Sequence, residues 1–287
     1  MKIRELKTDE LDYAVLPCVD PGFRRTMKQG ISLRREFLKR MKKEGLSVLG
    51  ALEDVTREEK IDYPGVGKVK VKNLSMSGRI PAGLIEYVPI EKTIFPVTGE
   101  NLAFIHCIWV IPPYWKKGVA QALMENFVAK TSYLSGSAVI AYEGESWWGF
   151  FDYMPKWFFA KFGFKEVDRS GKSVLMLKNY GNAKPPVLTL APCTSTPEGQ
   201  GHGSRIKGQV EFFWSTQCPY SWWVAKLLDK EFRKATKFES KLINTDKRET
   251  VQKFGLTFGL RINGNAIFNR MASWDEVKEA LRDFPKR

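Results

Sequence analysis

The chain of 287 residues has few cysteines, only two histidines and no long apolar run. Its four cysteines, at positions 18, 107, 193 and 218, have neither the spacing of a disulfide framework nor that of a zinc site, which predicts no metal centre and reduced thiols in a cytoplasmic protein. No segment approaches the roughly 18 apolar residues of a membrane span. Residues 1–6 carry charges where a secretory leader is apolar, so we expect neither export nor a membrane partner.

Aromatic residues and positive charge are abundant. The 19 Phe, 9 Tyr and 9 Trp can bury enough apolar surface to exclude a disordered chain. A net charge of +14 favours an anionic partner such as a phosphorylated cofactor or a nucleic acid, although a solvated basic face gives the same balance. Residues 33–43 combine a stripe of Leu33, Phe37 and Met41 with a basic outer side. We interpret this segment as a surface helix, since no nucleic-acid-binding signature accompanies it.

The composition changes once along the chain. Residues 181–208 are rich in Gly, Pro, Ser and Thr, which predicts a linker between a domain of residues 1–180 and one of residues 209–287. In the first domain, strand patterns at 3–6, 46–52, 82–88, 102–111 and 137–142 mostly precede helix patterns at 119–134 and 154–162. A pair of strands follows at 165–168 and 173–177. This order predicts an α/β or α+β fold with a sheet flanked by helices.

The most informative segment is an apolar strand that passes through a short basic turn into a helix, at residues 108–123. The first turn of a helix has unpaired N–H groups and a dipole that favours negative charge. Gly118 and Ala120 lack bulk, so a pyrophosphate could approach the backbone, while Lys116 and Lys117 add positive charge. The pattern alone leaves two interpretations open: an anion site, or an ordinary turn between a strand and a helix.

This segment resembles the acetyl-CoA motif of the GNAT acetyltransferases, Q/R-x-x-G-x-G/A, in the form Trp115-Lys116-Lys117-Gly118-Val119-Ala120. Trp115 departs from the Gln/Arg of the family. A second GNAT hallmark, similar to F-Y-x-K-x-G-F, is found at residues 158–164 in the right order and about 40 residues further on. The resemblance covers residues 1–180. It implies the mixed sheet of an acyl-CoA N-acyltransferase, with acetyl-CoA as the acetyl donor.

By this resemblance, the donor would be held mainly by backbone groups. Those of Ile108, Trp109 and Val110 would bind the pantetheine arm and the acetyl carbonyl. The N–H groups from Lys117 through Gly118, Val119 and Ala120 to Gln121 would bind the pyrophosphate, with Phe158 of the second motif alongside the donor. The family often has a tyrosine acid where this chain has Phe159, which cannot donate a proton. Tyr153, Tyr142 or solvent therefore remain open as the acid.

Three residues are candidates for the general base. His106 lies on the buried strand and has an ordinary pKa suited to neutral pH, although a buried histidine is also often a hydrogen-bonded core residue. Glu86 and Glu143 are the alternatives, each of which could instead be a paired or solvated carboxylate. Cys107 follows His106 directly, so strand alternation predicts that it faces the other side of the sheet, away from any Cys–His pair.

The segment that follows the strand at 137–142 lies where GNAT proteins admit the acceptor. Its acids Glu143 and Glu145 and its aromatics Trp147 and Trp148 suit a cationic, partly apolar amine. A contact patch between domains would contain the same residue types, and the sequence does not separate the two interpretations.

The second domain begins with a strand, a short loop and a helix, with Cys218 immediately ahead of the helix. N–H groups and the dipole at a helix start stabilise a thiolate. Cys218-Pro219-Tyr220-Ser221 resembles a thioredoxin or glutaredoxin site whose second cysteine is a serine. Residues 260–268 resemble the hairpin of the same fold, although the cis-proline that precedes it is replaced near Phe258. Ser273 and Glu276 predict a capping box for the last helix.

The two domains together resemble the YoaP-like acetyltransferases. The resulting hypothesis is an acetyl-CoA-dependent N-acetyltransferase in which a small amine, amino acid or peptide attacks the thioester directly. One alternative is a monothiol redox or thiol-binding protein that uses Cys218 and keeps a non-catalytic CoA-binding domain. The other is a basic, nucleic-acid-associated binder. The sequence leaves the acceptor and the oligomeric state open.

Overall fold

The computed structural model describes residues 1–55, 59–144, 146–147, 151–193, 209–235, 239–272 and 274–280 of the chain. In these residues the strands are β1 (Lys2–Glu5), β2 (Ser47–Asp54), β3 (Lys60–Tyr63), β4 (Gly67–Lys70), β5 (Arg79–Pro89), β6 (Val97–Thr98), β7 (Leu102–Val110), β8 (Gly136–Tyr142), β9 (Ser146–Trp147), β10 (Phe151–Asp152), β11 (Lys165–Ser170), β12 (Ser173–Asn179), β13 (Val187–Leu188), β14 (Val210–Trp214), β15 (Ser240–Asn244), β16 (Gly259–Ile262) and β17 (Asn265–Phe268). The helices are α1 (Asp12–Val15), α2 (Lys28–Lys43), α3 (Val119–Thr131), α4 (Lys156–Ala160), α5 (Pro219–Ala235), α6 (Arg248–Phe254) and α7 (Trp274–Ala280).

A seven-stranded mixed sheet in the order β1-β2-β5-β7-β8-β12-β11 forms the first part of the molecule. All neighbouring strands are antiparallel except β7 and β8, which are parallel. Helix α2 covers one face, where Phe37 lies 6.4 Å from the ring of His106. Helix α3 covers the other face, where Phe127 packs edge-on against Tyr87 with the ring centroids 4.9 Å apart. The predicted fold class, a mixed sheet flanked by helices, is confirmed.

Helix α2 differs in one respect from its sequence pattern. Phe37 and Met41 of the predicted apolar stripe are buried, but Arg34, which the pattern assigns to the basic outer side, is only 1% exposed. Arg34 points inward because it forms an ion pair with Glu86 on β5. The prediction of a solvated Arg34 is therefore wrong, and the buried pair makes one arginine part of the interior.

A second, four-stranded sheet has the order β15-β14-β16-β17, with β14 and β15 parallel and the other pairs antiparallel. Its core consists of strand residues such as Phe212 packed against α5 through Val224 and Phe232 and against α7 through Val277. None of the helices in the described part of the chain has the length and apolar content that a bilayer crossing requires.

The second sheet and its helices dock against the first. Phe258 is buried in the core of the first sheet, with its ring 6.1 Å from that of Phe95. Thr257 donates a hydrogen bond to the carbonyl of Ile94 at 2.7 Å, and Arg248 donates to the carbonyl of Thr93 at 2.6 Å. Phe258 stands near the position where the thioredoxin fold has a cis-proline, and the described residues contain no cis peptide bond. Its ring fills a gap between the two halves instead.

The start of the predicted linker is bound to both halves. Strand β13 pairs with β6 of the first half, and the N–H of Ala191 donates to the carbonyl of Gly255 at 3.0 Å. Residues 194–208 and the predicted cap Ser273 lie outside the described residues. The boundaries 1–180, 181–208 and 209–287 remain predictions.

Candidate active site

The strand-turn-helix segment leaves an open space in front of α3. After β7, the backbone turns through Lys116 and Gly118, both with positive φ (59° and 74°). Gly118 is the residue that precedes the helix, and no side chain caps the first turn. A Cβ built on Gly118 has no neighbouring atom within 4 Å, and Lys116, Lys117 and Gln121 are exposed beside it. An anion can therefore reach the N–H groups at the start of α3, next to two lysines.

Strands β7 and β8 separate beyond their first few residues. They pair from Leu102 to Ile105 only, so the rest of β7 has a free edge on the β8 side. The N–H of Ile108 at this edge donates to the sulfur of Met154 at 3.4 Å, and the carbonyl of Val110 accepts from the indole N–H of Trp115 at 2.6 Å. Backbone groups alternate along a strand, so those of Trp109 face β5. Trp109 therefore cannot offer its backbone to a donor, in contrast to the prediction; Ile108 and Val110 can.

A β-bulge changes the direction of side chains in the middle of β7. Glu86 pairs with Cys107 and Tyr87 with Ile105, so that His106 is the extra residue. A bulge of this kind turns consecutive side chains toward the same face. His106 contacts Phe37 of α2, and Cys107 lines a cavity together with Arg34 of α2. The prediction that His106 and Cys107 face opposite sides is wrong because strand alternation is interrupted between them.

His106 lies in an aromatic environment and is 1% exposed. The rings of Phe37, Phe95 and Phe104 lie 5.2–6.4 Å from its own ring. Its Nε2 is hydrogen-bonded to the hydroxyl of Thr93 at 2.8 Å, while Nδ1 has no partner. Burial lowers the pKa of His106 to about 4. The imidazole is therefore neutral at pH 7, and it is not among the residues that line the cavity next to Cys107.

Glu86 is enclosed by a buried hydrogen-bond network that joins the two halves. Its Oε2 accepts from Arg34 at 2.6 Å, and its Oε1 accepts from Arg34 at 3.3 Å and from the side-chain amide of Gln217. Arg34 also donates to the backbone carbonyl of Gln217. Breaking such a buried ion pair from one side typically costs about 3–5 kcal/mol, because a charge is left unpaired. Glu86 thus accepts three hydrogen bonds from two residues, is fully buried, and does not line the neighbouring cavity.

A cavity of about 60 Å³ lies next to this network, between the first sheet and the start of α5. Its wall is formed by side chains of both halves, namely Cys18, Arg34, Cys107, Trp109, Tyr153, Gln217, Cys218, Pro219 and Tyr220. The indole N–H of Trp109 donates to the carbonyl of Pro17 at 2.9 Å, which fixes its ring in this wall. Three cysteines far apart in sequence thus share one cavity with two tyrosines and a tryptophan.

Tyr153 connects this cavity to the free edge of β7. Its hydroxyl lies 3.9 Å from the sulfur of Cys107, and its neighbour Met154 contacts the N–H of Ile108. Burial, with the neighbouring Cys107, raises the pKa of Tyr153 well above its ordinary value. The phenol is therefore protonated at neutral pH and available as a donor.

The other predicted site residues are spread along the chain. Glu143 is exposed and forms ion pairs with Arg169 and Lys156. Trp147 lies in β9, which pairs with β10, and Glu145 and Trp148 lie outside the described residues. Phe158 is half-buried against Phe159 and Phe162, 5.2 Å from each ring. The structure does not bring Glu143 to the cavity, where Tyr153 and Cys218 meet.

Sequence reasoning missed several residues of this site. Cys18 comes at the end of a short 3-10 helix (Leu16–Cys18), while Gln217 directly precedes Cys218 and Tyr220 lies within its motif. Only the neighbourhood of Cys218 carried a signal for the last two. Nothing in the sequence near Cys18 indicates a site. No group of three or more Cys, His, Asp or Glu side chains in the described part of the chain is arranged to hold a metal ion.

Comparisons with known proteins give a family match and a relative. Residues 33–132 match the model of the Acetyltransferase (GNAT) family, which supports a GNAT acetyltransferase domain in this part of the chain. The chain is 22% identical over 203 residues to the uncharacterized N-acetyltransferase YoaP of Bacillus subtilis (strain 168), covering 69% of this chain and 76% of that protein.

Two solved structures are similar to the chain at low identity. The PaiA N-acetyltransferase of Thermoplasma acidophilum in complex with coenzyme A is 16% identical, with a TM-score of 0.37 over 63% of this chain and 100% of that one. A GNAT family acetyltransferase of Brucella melitensis in complex with acetyl-CoA is 14% identical, with a TM-score of 0.36 over 64% of this chain and 90% of that one.

Proposed function

We propose that the chain is an acetyl-CoA-dependent N-acetyltransferase that acts on a small amine, amino acid or peptide. The observation that carries this proposal is the free edge of β7, which leads to the open start of α3 and which Met154, the neighbour of the cavity residue Tyr153, contacts at Ile108. A donor with its pyrophosphate at Gly118 and its arm beside Ile108 would have its acyl end next to that cavity. The family match over residues 33–132 supports the same proposal.

Different residues of the chain would bind the donor, polarise the thioester and protonate the leaving thiolate in acetyl transfer. The N–H groups of α3 and the two lysines would hold the pyrophosphate, and the N–H of Ile108 would polarise the thioester carbonyl after Met154 moves aside. The amine nitrogen attacks this carbon, the bond to sulfur breaks, and a proton is needed on the departing thiolate. Tyr153 lines the cavity and directly precedes Met154, which contacts the edge of β7 at Ile108, so we assign its hydroxyl as the general acid.

No side chain of the described residues stands out as the general base. His106 is neutral but enclosed by aromatic rings, and Glu86 is held by Arg34. An amine that enters the site in its neutral form needs no strong base, and solvent can accept the proton afterwards. Acceptors with a low amine pKa are therefore favoured, because more of the amine is neutral at pH 7.

Calorimetric titration with acetyl-CoA tests the donor site. Ala120→Glu places a carboxylate in the first turn of α3, where it repels the pyrophosphate and occupies its space. Ala129→Glu is the matched control, because it adds the same charge at an exposed position near the other end of the same helix. We expect binding by the wild type and by Ala129→Glu, and at least a hundredfold weaker binding by Ala120→Glu. Equal binding by all three proteins would place the donor elsewhere.

Tyr153→Phe tests the assignment of the acid. The ring remains, so its packing against Tyr142 at 5.8 Å is kept, while the proton donor is lost. We expect kcat for coenzyme A release to fall by about 10²-fold or more, with an unchanged Kd for acetyl-CoA. Tyr142→Phe is the control on the neighbouring ring and should keep most of the activity. An undiminished kcat in Tyr153→Phe would mean that solvent protonates the thiolate.

A further inference from the structure

Three of the four cysteines line the cavity between the two halves, one from each of three elements. Cys18 ends the 3-10 helix of the first half, Cys107 lies on β7, and Cys218 precedes α5. All three are half-buried and none is in a disulfide. Cys193 lies apart from them, beside Asn269 and Arg270. Three of the four thiols therefore lie at one place, although they are 89 to 200 positions apart in sequence.

Cys218 has the surroundings of an attacking thiol. Its sulfur accepts hydrogen bonds from the backbone N–H groups of Tyr220 and Ser221, in the first turn of the 17-residue helix α5. Such N–H groups favour the thiolate over the thiol. The position where a second cysteine would lie in the same turn is Ser221, whose hydroxyl accepts from the N–H of Ser215. A resolving thiol must therefore come from outside this turn.

Cys18 is better placed than Cys107 to act as that thiol. Cys107 is held in the middle of β7 by its pairing with Glu86 on β5, so its backbone cannot shift without disturbing the sheet. Cys18 lies at the end of a single 3-10 turn outside the sheet, where its thiol donates to the carbonyl of Ala14 at 3.3 Å and its sulfur is hydrogen-bonded by the side chain of Arg34. A small movement of a short turn costs less than a movement of a central strand.

We propose that Cys218 and Cys18 form a reversible disulfide that links the two halves of the molecule and acts as a dithiol site toward small disulfides. The thiolate of Cys218 attacks one sulfur of the small disulfide, which gives a mixed disulfide and releases one small thiol. The thiolate of Cys18 then attacks the sulfur of Cys218, forms the bond between the two cysteines and releases the second small thiol. Two protein thiols are oxidised, one small disulfide is reduced, and the protons of both cysteines end on the released thiols.

This activity is separate from acetyl transfer and does not require the donor site. Its consequence for the cavity is direct, because the new bond would cross the space that Tyr153 and Trp109 enclose and would hold α5 against the first half. Burial raises the pKa of both Cys218 and Cys18, so only a small thiolate fraction reacts at neutral pH. The exchange is accordingly expected over hours.

The test is to incubate the full chain with glutathione disulfide and then to alkylate the remaining thiols under denaturing conditions. Intact mass should show two thiols lost and no glutathione attached, and a peptide map without reduction should join residue 18 to residue 218. Cys193→Ser should behave like the wild type in these respects. Ala120→Glu should also form the disulfide. Formation of the disulfide is therefore tested independently of acetyl-CoA binding.

Variants in which one cysteine is replaced by serine distinguish the attacking thiol from the resolving thiol. Cys18→Ser should stop at a mixed disulfide with one glutathione on Cys218, and Cys107→Ser should still form the 18–218 bond. Cys218→Ser should leave Cys18 unmodified. The proposal is overturned if the wild type retains its thiols, if the peptide map joins residue 107 to residue 218, or if Cys18→Ser still loses two thiols without an adduct. Circular dichroism of each variant establishes that it is folded.

Discussion

Single residues in this protein show how strongly burial changes the chemistry that a sequence suggests. His106 is the residue type of a base at neutral pH, but the aromatic rings around it and the loss of water lower its pKa to about 4. Arg34 is the residue type of a solvated helix surface, but Glu86 and Gln217 hold it in the interior. In both cases the sequence identifies the residue, and only the tertiary contacts determine its charge state and partner.

The lowered pKa of His106 predicts a pH dependence of stability. Its ordinary pKa is 6.5, so between pH 6.5 and 4 the unfolded chain binds a proton that the folded chain does not. The free energy of unfolding should therefore be independent of His106 titration above pH 6.5. It should fall as the pH decreases toward 4, by on the order of 3 kcal/mol from this residue. The measurement is the free energy of urea unfolding as a function of pH for the wild type and His106→Asn.

His202→Asn removes the only other histidine and serves as the control. We expect a shallower pH slope between pH 4 and 6.5 in His106→Asn, and a slope like that of the wild type in His202→Asn. Parallel slopes in all three proteins would contradict a depressed pKa at His106, whatever their absolute stabilities.

At the scale of elements, the apolar patterns of the sequence predicted the strands and helices whose formation depends on neighbouring residues in the chain. The strand at 102–111, the turn and the helix at 119–134 are found as β7 and α3 with small differences at their ends. The helix predicted at 154–162 is shorter, because Met154 has a left-handed backbone (φ 46°) and α4 begins only at Lys156. Apolar periodicity continues through such a residue, so the pattern does not reveal the shorter helix.

The bulge in β7 was not predictable in the same way. It depends on the register between β5 and β7, in which Tyr87 skips His106 and pairs with Ile105. The sequence of one strand does not by itself determine its register with the neighbouring strand. The bulge nevertheless determines the site, since it turns Cys107 toward the cavity and toward the network of Glu86.

At the scale of the whole molecule, the site depends on the docking of two halves that the sequence predicts separately. Gln217 reaches Glu86, and Phe258 completes the core next to Phe95. Neither contact has a sequence signal, because the partners are 131 and 163 positions apart. The cavity and its three thiols are consequences of this docking, so the sequence predicts Cys218, Tyr153 and Trp109 as site residues without indicating that they share a cavity with Cys18.

The close approach of α2 to the start of α5 offers a test of the docking. A Cβ on Gly30 would lie 2.8 Å from the carbonyl oxygen of Pro219, so Gly30→Ala forces the two helices apart. Alanine ordinarily favours a helix over glycine by about 1 kcal/mol, whereas overpacking costs about 1–3 kcal/mol. We expect the clash to prevail, with faster hydrogen exchange in residues 209–221 and 255–260.

Gly22→Ala is the matched control, because a Cβ built on Gly22 has no atom within 4 Å. It should leave hydrogen exchange in both segments unchanged. If Gly30→Ala also leaves the exchange unchanged, the two helices are not packed as closely as the structure places them.

The contact between Met154 and Ile108 has a consequence for the energetics of the free edge of β7. A fully buried N–H without an acceptor costs about 1–3 kcal/mol, and the half-buried N–H of Ile108 avoids part of such a cost through the thioether of Met154 at 3.4 Å. Sulfur is a weak acceptor, so a carbonyl oxygen that arrives at the same N–H gains more than the methionine loses. The exchange keeps the number of hydrogen bonds constant. The N–H at the strand edge thus has a hydrogen-bond partner that a stronger acceptor can replace.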